Sequence, residues 1–200
     1  MNKGFIVAFE GIDGSGKTTH SRLLAEWLIE QGREVLVEHE PTQGPWGKKL
    51  RESGSTGRLS PEKELEYFIE DRKQHVREVI LPALSEGKVV ILDRYYFSNM
   101  AYQGTRGLDI NEIRRSNEEF APRPDLLVIL DIEVDKALHR IGARGDVANE
   151  FEKKENLEQC RTIFLDLGKE DFVKIIPTDT TPNEVEAGIR KTVEERLLLA

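Results

Sequence analysis

The chain has 200 residues, 38% hydrophobic and 33% charged, a size and balance that fit one globular domain with a core of its own. Its formal net charge of −8 argues against an electrostatically driven DNA or membrane binder, which is normally basic, while leaving room for small anions held by a few local cations. The single cysteine, Cys160, excludes an internal disulfide and points to a reducing compartment. The longest apolar runs are about five or six residues, against the roughly 20 needed to cross a bilayer, and the early FIVAF stretch is too short for a signal peptide. The expectation is a cytoplasmic protein with neither a membrane nor a nucleic acid as partner.

Taken in chain order, Phe5–Phe9 is apolar on both faces, the habit of a strand inside a parallel sheet. His20, Leu23, Leu24, Trp27 and Leu28 then form one stripe of a helix over Lys17–Gln31, closed by Gly32 as its C-terminal cap. A second strand follows at Val35–Val37. Residues 40–57 carry Pro41, Gly44, Pro45, Gly47, Gly54 and Gly57 and read as a long loop with room for one short helix. Ser60-Pro61 marks the N-cap and first position of the next helix, whose stripe is Leu65, Phe68, Ile69, Val76, Val79 and Ile80. Strands at Val89–Leu92, Leu126–Leu130 and Phe172–Ile176 alternate with helical stripes at Val134–Ile141 and Val185–Leu197. Gly142 to Glu152 has two glycines, many charges and almost no apolar content, and reads as a mobile lid over about 142–152. This alternation predicts a doubly wound α/β fold, a parallel five-stranded sheet flanked by helices, as one domain over 1–200. Cys160 falls in a helical stretch as a packing residue. His20, His39, His75 and His139 have no carboxylate or cysteine at ligand spacing, so no zinc site is expected.

The strongest chemical feature is Gly11-Ile12-Asp13-Gly14-Ser15-Gly16-Lys17-Thr18, a G-x-x-x-x-G-K-[ST] run between a strand and a helix, the context that this motif requires. Its glycines let successive N–H groups curl inward around a phosphate, and the following helix adds its positive end. Lys17 adds a full charge, and the Thr18 hydroxyl can ligate Mg²⁺. Gly11 to Thr19 therefore forms a candidate nucleoside triphosphate site, the alternative being a Gly-rich turn without a ligand.

The remaining chain narrows the chemistry. A guanine-reading Asn-Lys-x-Asp after a later strand is absent. The third strand ends in Asp93-Arg94-Tyr95, with Arg where a motor ATPase places its water-activating Glu. Asp93 is placed to hold Mg²⁺ opposite Thr18, and Arg94 offers a bidentate fork for a second phosphate; the alternative is a helix-capping carboxylate beside a surface Arg. On the Leu65–Val79 stripe, the position four residues after Phe68 is Arg72, and a guanidinium is rarely buried unpaired. Either the stripe opens there onto a cleft, with Phe68 as a stacking platform and Arg72 as a donor, or Arg72 pairs with a carboxylate across the core.

These residues resemble the thymidylate kinases among the nucleoside monophosphate kinases. The resemblance runs over nearly the whole chain, through FEGIDGSGKTT (Phe9–Thr19), HEP (His39–Pro41), LEYFIEDRKQHV (Leu65–Val76), ILPALSEGKVVILDRYYFSNMAYQG (Ile80–Gly104), APRPDLLVILDI (Ala121–Ile132) and RIGARG (Arg140–Gly145). It implies the P-loop kinase fold with a short lid, ATP and dTMP as substrates, Mg²⁺ as cofactor and a homodimer. It also implies roles at matching positions. Asp13 matches an acid near the sugar and acceptor, Phe68 the aromatic stacked on thymine, and Arg72 the base-reading arginine. Arg94 matches the grip on the acceptor phosphate, Ser98 and Asn99 the polar residues under the base, Tyr102 the tyrosine that favours deoxyribose, and Gln103 a neighbouring polar contact.

In this family a catalytic cation comes from the phosphate loop or from the lid. The loop here has none beyond Lys17, and the lid run Ala148-Asn149-Glu150-Phe151-Glu152 lacks the arginine that many relatives carry. Arg140 and Arg144, four apart on one helix face, are the remaining candidates, or else two solvated cations at a helix end. The expected reaction is Mg²⁺-dependent phosphoryl transfer from ATP to dTMP. A kinase for another monophosphate or small acceptor, a catalytically weak ATP-binding module and an ATPase acting on a protein remain as alternatives. The acidity concentrates away from these cations: residues 146–171 hold eight acids against four bases.

Overall fold

The computed structural model describes residues 4–143 and 154–198, the side chains of 55 and 56 excepted. Five strands, β1 (Phe5–Glu10), β2 (Val35–His39), β3 (Val89–Asp93), β4 (Leu126–Asp131) and β5 (Val173–Pro177), pair in parallel in the order β2-β3-β1-β4-β5. The helices are α1 (Lys17–Glu30), α2 (Pro45–Thr56), α3 (Pro61–His75), α4 (Leu81–Ser85), α5 (Tyr96–Tyr102), α6 (Ile110–Glu118), α7 (Val134–Ala143), α8 (Lys154–Asp166) and α9 (Pro182–Leu197).

Successive strand residues point to opposite faces, and both faces are covered. Phe5, Val7 and Phe9 join Val89, Ile91, Leu126 and Val128 against Leu24 and Leu28 of α1 and Val185, Ile189 and Val193 of α9. Ile6 and Ala8 face the other way, with Val90, Leu92, Leu127 and Ile129, against Tyr96, Phe97 and Met100 of α5 and Leu157, Cys160 and Phe164 of α8. Each fully buried aliphatic side chain contributes about 1.5–3 kcal/mol of transfer free energy, so the two layers together hold the sheet between its helices. β1 is central, and the chain crosses from one side of it to the other between β3 and β4. The loops after β1 and β3 consequently emerge side by side at the carboxyl edge, where open α/β sheets form their ligand crevice.

Local chemistry sets the helix ends much as the residue types predict. The Ser60 hydroxyl accepts from the Lys63 N–H, with Pro61 following, and Gly32 sits at φ 77° after α1. Two differences stand out. The 40–57 segment is not mainly loop: α2 fills twelve residues of it despite Gly47 and Gly54. Tertiary contact overrides propensity there, because the buried Asp71 carboxylate of α3 accepts from the N–H groups of Thr42 (2.7 Å) and Gly47 (3.1 Å) and from the Thr42 hydroxyl (2.7 Å). Gly47 fits because a Cβ would lie 1.9 Å from the Thr42 carbonyl oxygen. The second difference is α6, whose N-cap Asp109 accepts from Asn111 N–H at 2.8 Å and Glu112 N–H at 3.2 Å. Most of the expected lid, including Arg144, lies outside the described residues.

Candidate active site

The turn after β1 is shaped by three glycines at positive φ, Gly11 (138°), Gly14 (82°) and Gly16 (100°). Side chains there would also collide: a Cβ on Gly11 would sit 2.4 Å from the Leu130 carbonyl oxygen, and one on Gly14 2.6 Å from that of Ala137. Lys17, the first residue of α1, folds back over the loop and donates from Nζ to the carbonyls of Gly11 (2.9 Å) and Ile12 (3.0 Å). Burial lowers its pKa to about 8, helped by Arg94, while Asp13, Asp93 and Glu10 oppose the shift. Ser15 is buried within the loop, its hydroxyl without a hydrogen-bond partner among the described residues. Gly14, Gly16, Lys17, Thr18 and Thr19 line a cavity of about 280 Å³ with Asp13, His39, Glu40, Asp93 and Arg94. The Thr18 hydroxyl donates to Asp93 Oδ2 at 2.5 Å, which pairs two hard oxygen donors of the kind that Mg²⁺ takes.

Arg94 opens the turn after β3 with φ 72°, a left-handed conformation that costs a non-glycine residue on the order of 1 kcal/mol or more. Hydrogen bonds fix the turn on both sides. The Arg94 N–H donates to the Phe9 carbonyl at 3.0 Å, and the N–H groups of Tyr95 and Ser98 donate to Glu10 Oε1 at 2.8 and 2.9 Å. The Ser98 hydroxyl donates to Glu10 Oε2 at 2.6 Å. Glu10 is fully buried, and burial pushes its carboxyl up to about 7 against the pull of Arg94, these hydrogen bonds and Lys17. Held this way, the guanidinium of Arg94 pairs with Asp13, donates to Ser98 Oγ at 3.2 Å and lies 5.4 Å from the Tyr102 ring centre. Tyr102 donates to the other Asp13 oxygen at 3.0 Å. Burial alone would raise the Asp13 carboxyl, but Arg94, Lys17 and the Tyr102 hydroxyl outweigh it and hold it below the usual range.

A second cavity of about 340 Å³ lies beyond Arg94. It brings together all eight residues that the resemblance marks for the acceptor, Asp13, Phe68, Arg72, Arg94, Ser98, Asn99, Tyr102 and Gln103. Arg72 meets the carboxylate alternative, at the edge of a cleft. It lines this cavity, and its 1%-exposed guanidinium pairs with Glu40 Oε2 from Nε (2.7 Å) and Nη2 (2.6 Å) and donates from Nη1 to Asn99 (2.8 Å) and Asn117 (2.6 Å). The two cavities share Asp13, Glu40 and Arg94 as lining residues.

Arg140 enters neither cavity. It donates to the carbonyls of Thr178 (2.6 Å) and Gly14 (3.4 Å), behind the phosphate loop. Sequence reasoning missed Glu10, Glu40, Glu64 and Asn117, which lie 32 to 88 residues along the chain from their partners in the contacts Glu10–Ser98, Glu40–Arg72, Glu64–Gln103 and Asn117–Arg72. No periodicity marks such pairs. Buried acids at a strand end (Glu10) and beside a proline (Glu40) were the available hints. The same holds for two histidines without nearby sequence partners: His20 Nδ1 is 3.2 Å from Glu186, and His75 Nδ1 is 3.0 Å from Glu40.

Similarity to known proteins runs over most of the chain. A family model described as "Thymidylate kinase" matches residues 9–189. A thymidylate kinase of Akkermansia muciniphila is 48% identical over 194 residues, covering 97% of this chain and 93% of the relative. One from Xanthomonas euvesicatoria pv. vesicatoria is 49% identical over 197 residues, covering 97% and 87%. One from Xanthomonas oryzae pv. oryzae is 48% identical over 197 residues, covering 97% and 86%.

Proposed function

The chain belongs to the thymidylate kinase family, and from that premise we infer that it transfers the γ-phosphoryl group of ATP to the 5′-phosphate of dTMP, giving dTDP and ADP. The observation that carries this reading is the common wall of the two cavities. A nucleotide phosphate in the loop cavity and one in the Phe68 cavity would meet at Arg94. Two anions repel, so the main task of the protein is to position them and neutralise their charge. No protein nucleophile or strong base is required, because the acceptor phosphate is already an anion. In this reading Lys17 and the loop amides of Gly11–Thr19 hold the donor, and Arg94 holds the acceptor. Asp13 keeps the guanidinium and the Tyr102 hydroxyl in place, while Phe68, Arg72, Ser98, Asn99 and Gln103 hold the base.

Thr18 and Asp93 would hold Mg²⁺, which supplies charge neutralisation on the phosphate oxygens when bound. Arg140 braces the loop from behind, which leaves Arg144 as the lid cation of this reading. The whole chain would work as one kinase domain with 142–152 as its lid, and as a homodimer in the cytoplasm. Cys160 is a free, buried thiol, and no described helix is long and apolar enough to cross a membrane.

The test is ADP release measured with each nucleoside monophosphate in turn and with none. Stimulation by dTMP is the expected result. Equal rates with and without an acceptor would make the chain an ATPase, and silence throughout would make it a binding module; either result overturns the reading.

A further inference from the structure

Glu40 follows β2 and stays beside β3, its N–H donating to the Asp93 carbonyl at 3.1 Å, so its backbone is fixed. Its side chain, 4% exposed, meets two residues on one face of α3, Arg72 and His75. A carboxylate facing an arginine frequently closes on it fork to fork, one oxygen to each nitrogen. Here it does not. Arg72 Nε (2.7 Å) and Nη2 (2.6 Å) both reach Oε2, and His75 Nδ1 takes Oε1 at 3.0 Å. A carboxylate can only accept, so the imidazole donates its Nδ1 proton. Burial would raise the Glu40 carboxyl, but Arg72 and His75 hold it below the usual range, so it stays an anion with both oxygens matched.

The Glu40 contact is what satisfies the His75 ring. The residue is 3% exposed and lines neither cavity. Its Nε2 has no hydrogen-bond partner among the described residues, and Glu38 Oε2 lies 3.6 Å from it, too far for one. α3 ends at His75, where a π-helical turn over Val76–Ile80 takes over, a rare conformation that recurs at functional sites. With Oε1 occupied, Arg72 keeps Nη1 on Asn99 (2.8 Å) and Asn117 (2.6 Å). Without the Nδ1 donor, Oε1 would be a buried, unmatched anionic oxygen. Rotating the carboxylate onto Nη2 would match it again, and would draw the guanidinium away from the two asparagines.

We infer that His75 is a positioning residue for the acceptor site: by holding Glu40 Oε1 it keeps the carboxylate out of a fork-to-fork pair and so fixes Arg72 in the wall of the Phe68 cavity. His75 acts through Glu40 and Arg72 and does not itself meet a nucleotide. Its effect falls on the acceptor, because Lys17 and the loop amides that hold the donor are outside its contacts. The inference rests on the dTMP reading above, in which Arg72 holds the base.

The test uses the whole chain and compares wild type with His75→Leu, His75→Gln and His75→Asn. It measures kcat, the KM for dTMP at saturating ATP, the KM for ATP at saturating dTMP, and the thermal midpoint. Leucine fills the space and removes the donor. The asparagine amide can place an N–H where Nδ1 carries its own, whereas the glutamine amide places it near Nε2, on the Glu38 side. His75→Leu and His75→Gln should raise the dTMP KM about tenfold, the scale of a hydrogen bond to a buried charge. In both, kcat and the ATP KM should stay within about twofold of wild type, and His75→Asn should recover most of the loss in dTMP KM. A merely structural role would lower the thermal midpoint without that split and would give asparagine no advantage over glutamine. A wild-type dTMP KM in folded His75→Leu would overturn the inference, as would a joint shift of kcat and both KM values. So would a His75→Asn protein that is unfolded or no better than His75→Gln. If His75→Leu does not fold, His75→Gln takes its place in each comparison. A wild-type protein that does not use dTMP at all would remove the underlying reading instead.

Discussion

Glu10 shows how one side chain couples fold and site. Its carboxyl sits at the end of β1, fully buried, and holds both the Arg94 turn and the start of α5 through the N–H groups of Tyr95 and Ser98. Burial raises its pKa from 4.5 to about 7, so the folded chain binds a proton that the unfolded chain releases between those values. The stabilising contribution of the neutral form is then fully present below about 4.5 and is lost as pH rises through about 7. Glu10→Gln keeps a neutral group of the same shape: its oxygen can accept from the two backbone N–H groups, and its NH₂ can donate to Ser98 Oγ. Denaturant midpoints measured from pH 5 to pH 8 should therefore fall less steeply in Glu10→Gln than in the wild-type protein, by an amount on the order of 1–3 kcal/mol. Equal slopes would show that Glu10 does not titrate in this range.

At the scale of elements, α3 sets the floor of the acceptor cavity with a buried face that is polar, not apolar. Glu64, Asp71, Arg72 and His75 are its buried residues, whereas Leu65, Phe68 and Ile69 of the apolar stripe are only partly buried. Asp71 ties this helix to the start of α2, which brings Leu50, Arg51 and Gly54 to the cavity. Asp71→Ala would leave three donors without their acceptor. It should lower stability by about 2–4 kcal/mol and raise the KM for dTMP several-fold while leaving the KM for ATP near its wild-type value. Thermal unfolding and steady-state kinetics on one preparation check both halves, and an equal rise in both KM values would contradict this placement.

The same helix shows where sequence reading stops. The five strands were legible within one or two residues; in the central β1, β3 and β4, two-sided burial leaves continuous apolar runs such as Val89–Leu92. The phosphate loop was legible because its chemistry is local, a glycine pattern followed by Lys17 and Thr18. Arg72 was legible as an anomaly on a stripe but not as the partner of Glu40, because that pair spans 32 residues and depends on packing. α2 was hidden by its glycines and is held by Asp71 from outside. α6 could have been found, since Asp109 followed three positions later by Glu112 is a helix-start pattern. Glu64 carried no sequence mark at all, being one acid among several at the start of a helix.

At the scale of the whole molecule, the order β2-β3-β1-β4-β5 places the loop after β1 beside the turn after β3, and this puts Lys17, Asp93 and Arg94 around one cavity. A net charge of −8 is compatible with binding two anionic nucleotides, because the cations that matter converge at that edge while much of the acidity lies elsewhere in the chain. The central claim is that phosphates bound on the two sides of Arg94 exchange a phosphoryl group directly. The most direct measurement follows the label from ATP carrying radioactive phosphorus at its γ position, incubated with dTMP, Mg²⁺ and the purified chain. The account predicts one labelled dTDP for each ADP formed, with the transfer abolished in Lys17→Ala. Label released as inorganic phosphate, with dTMP left unchanged, would contradict it.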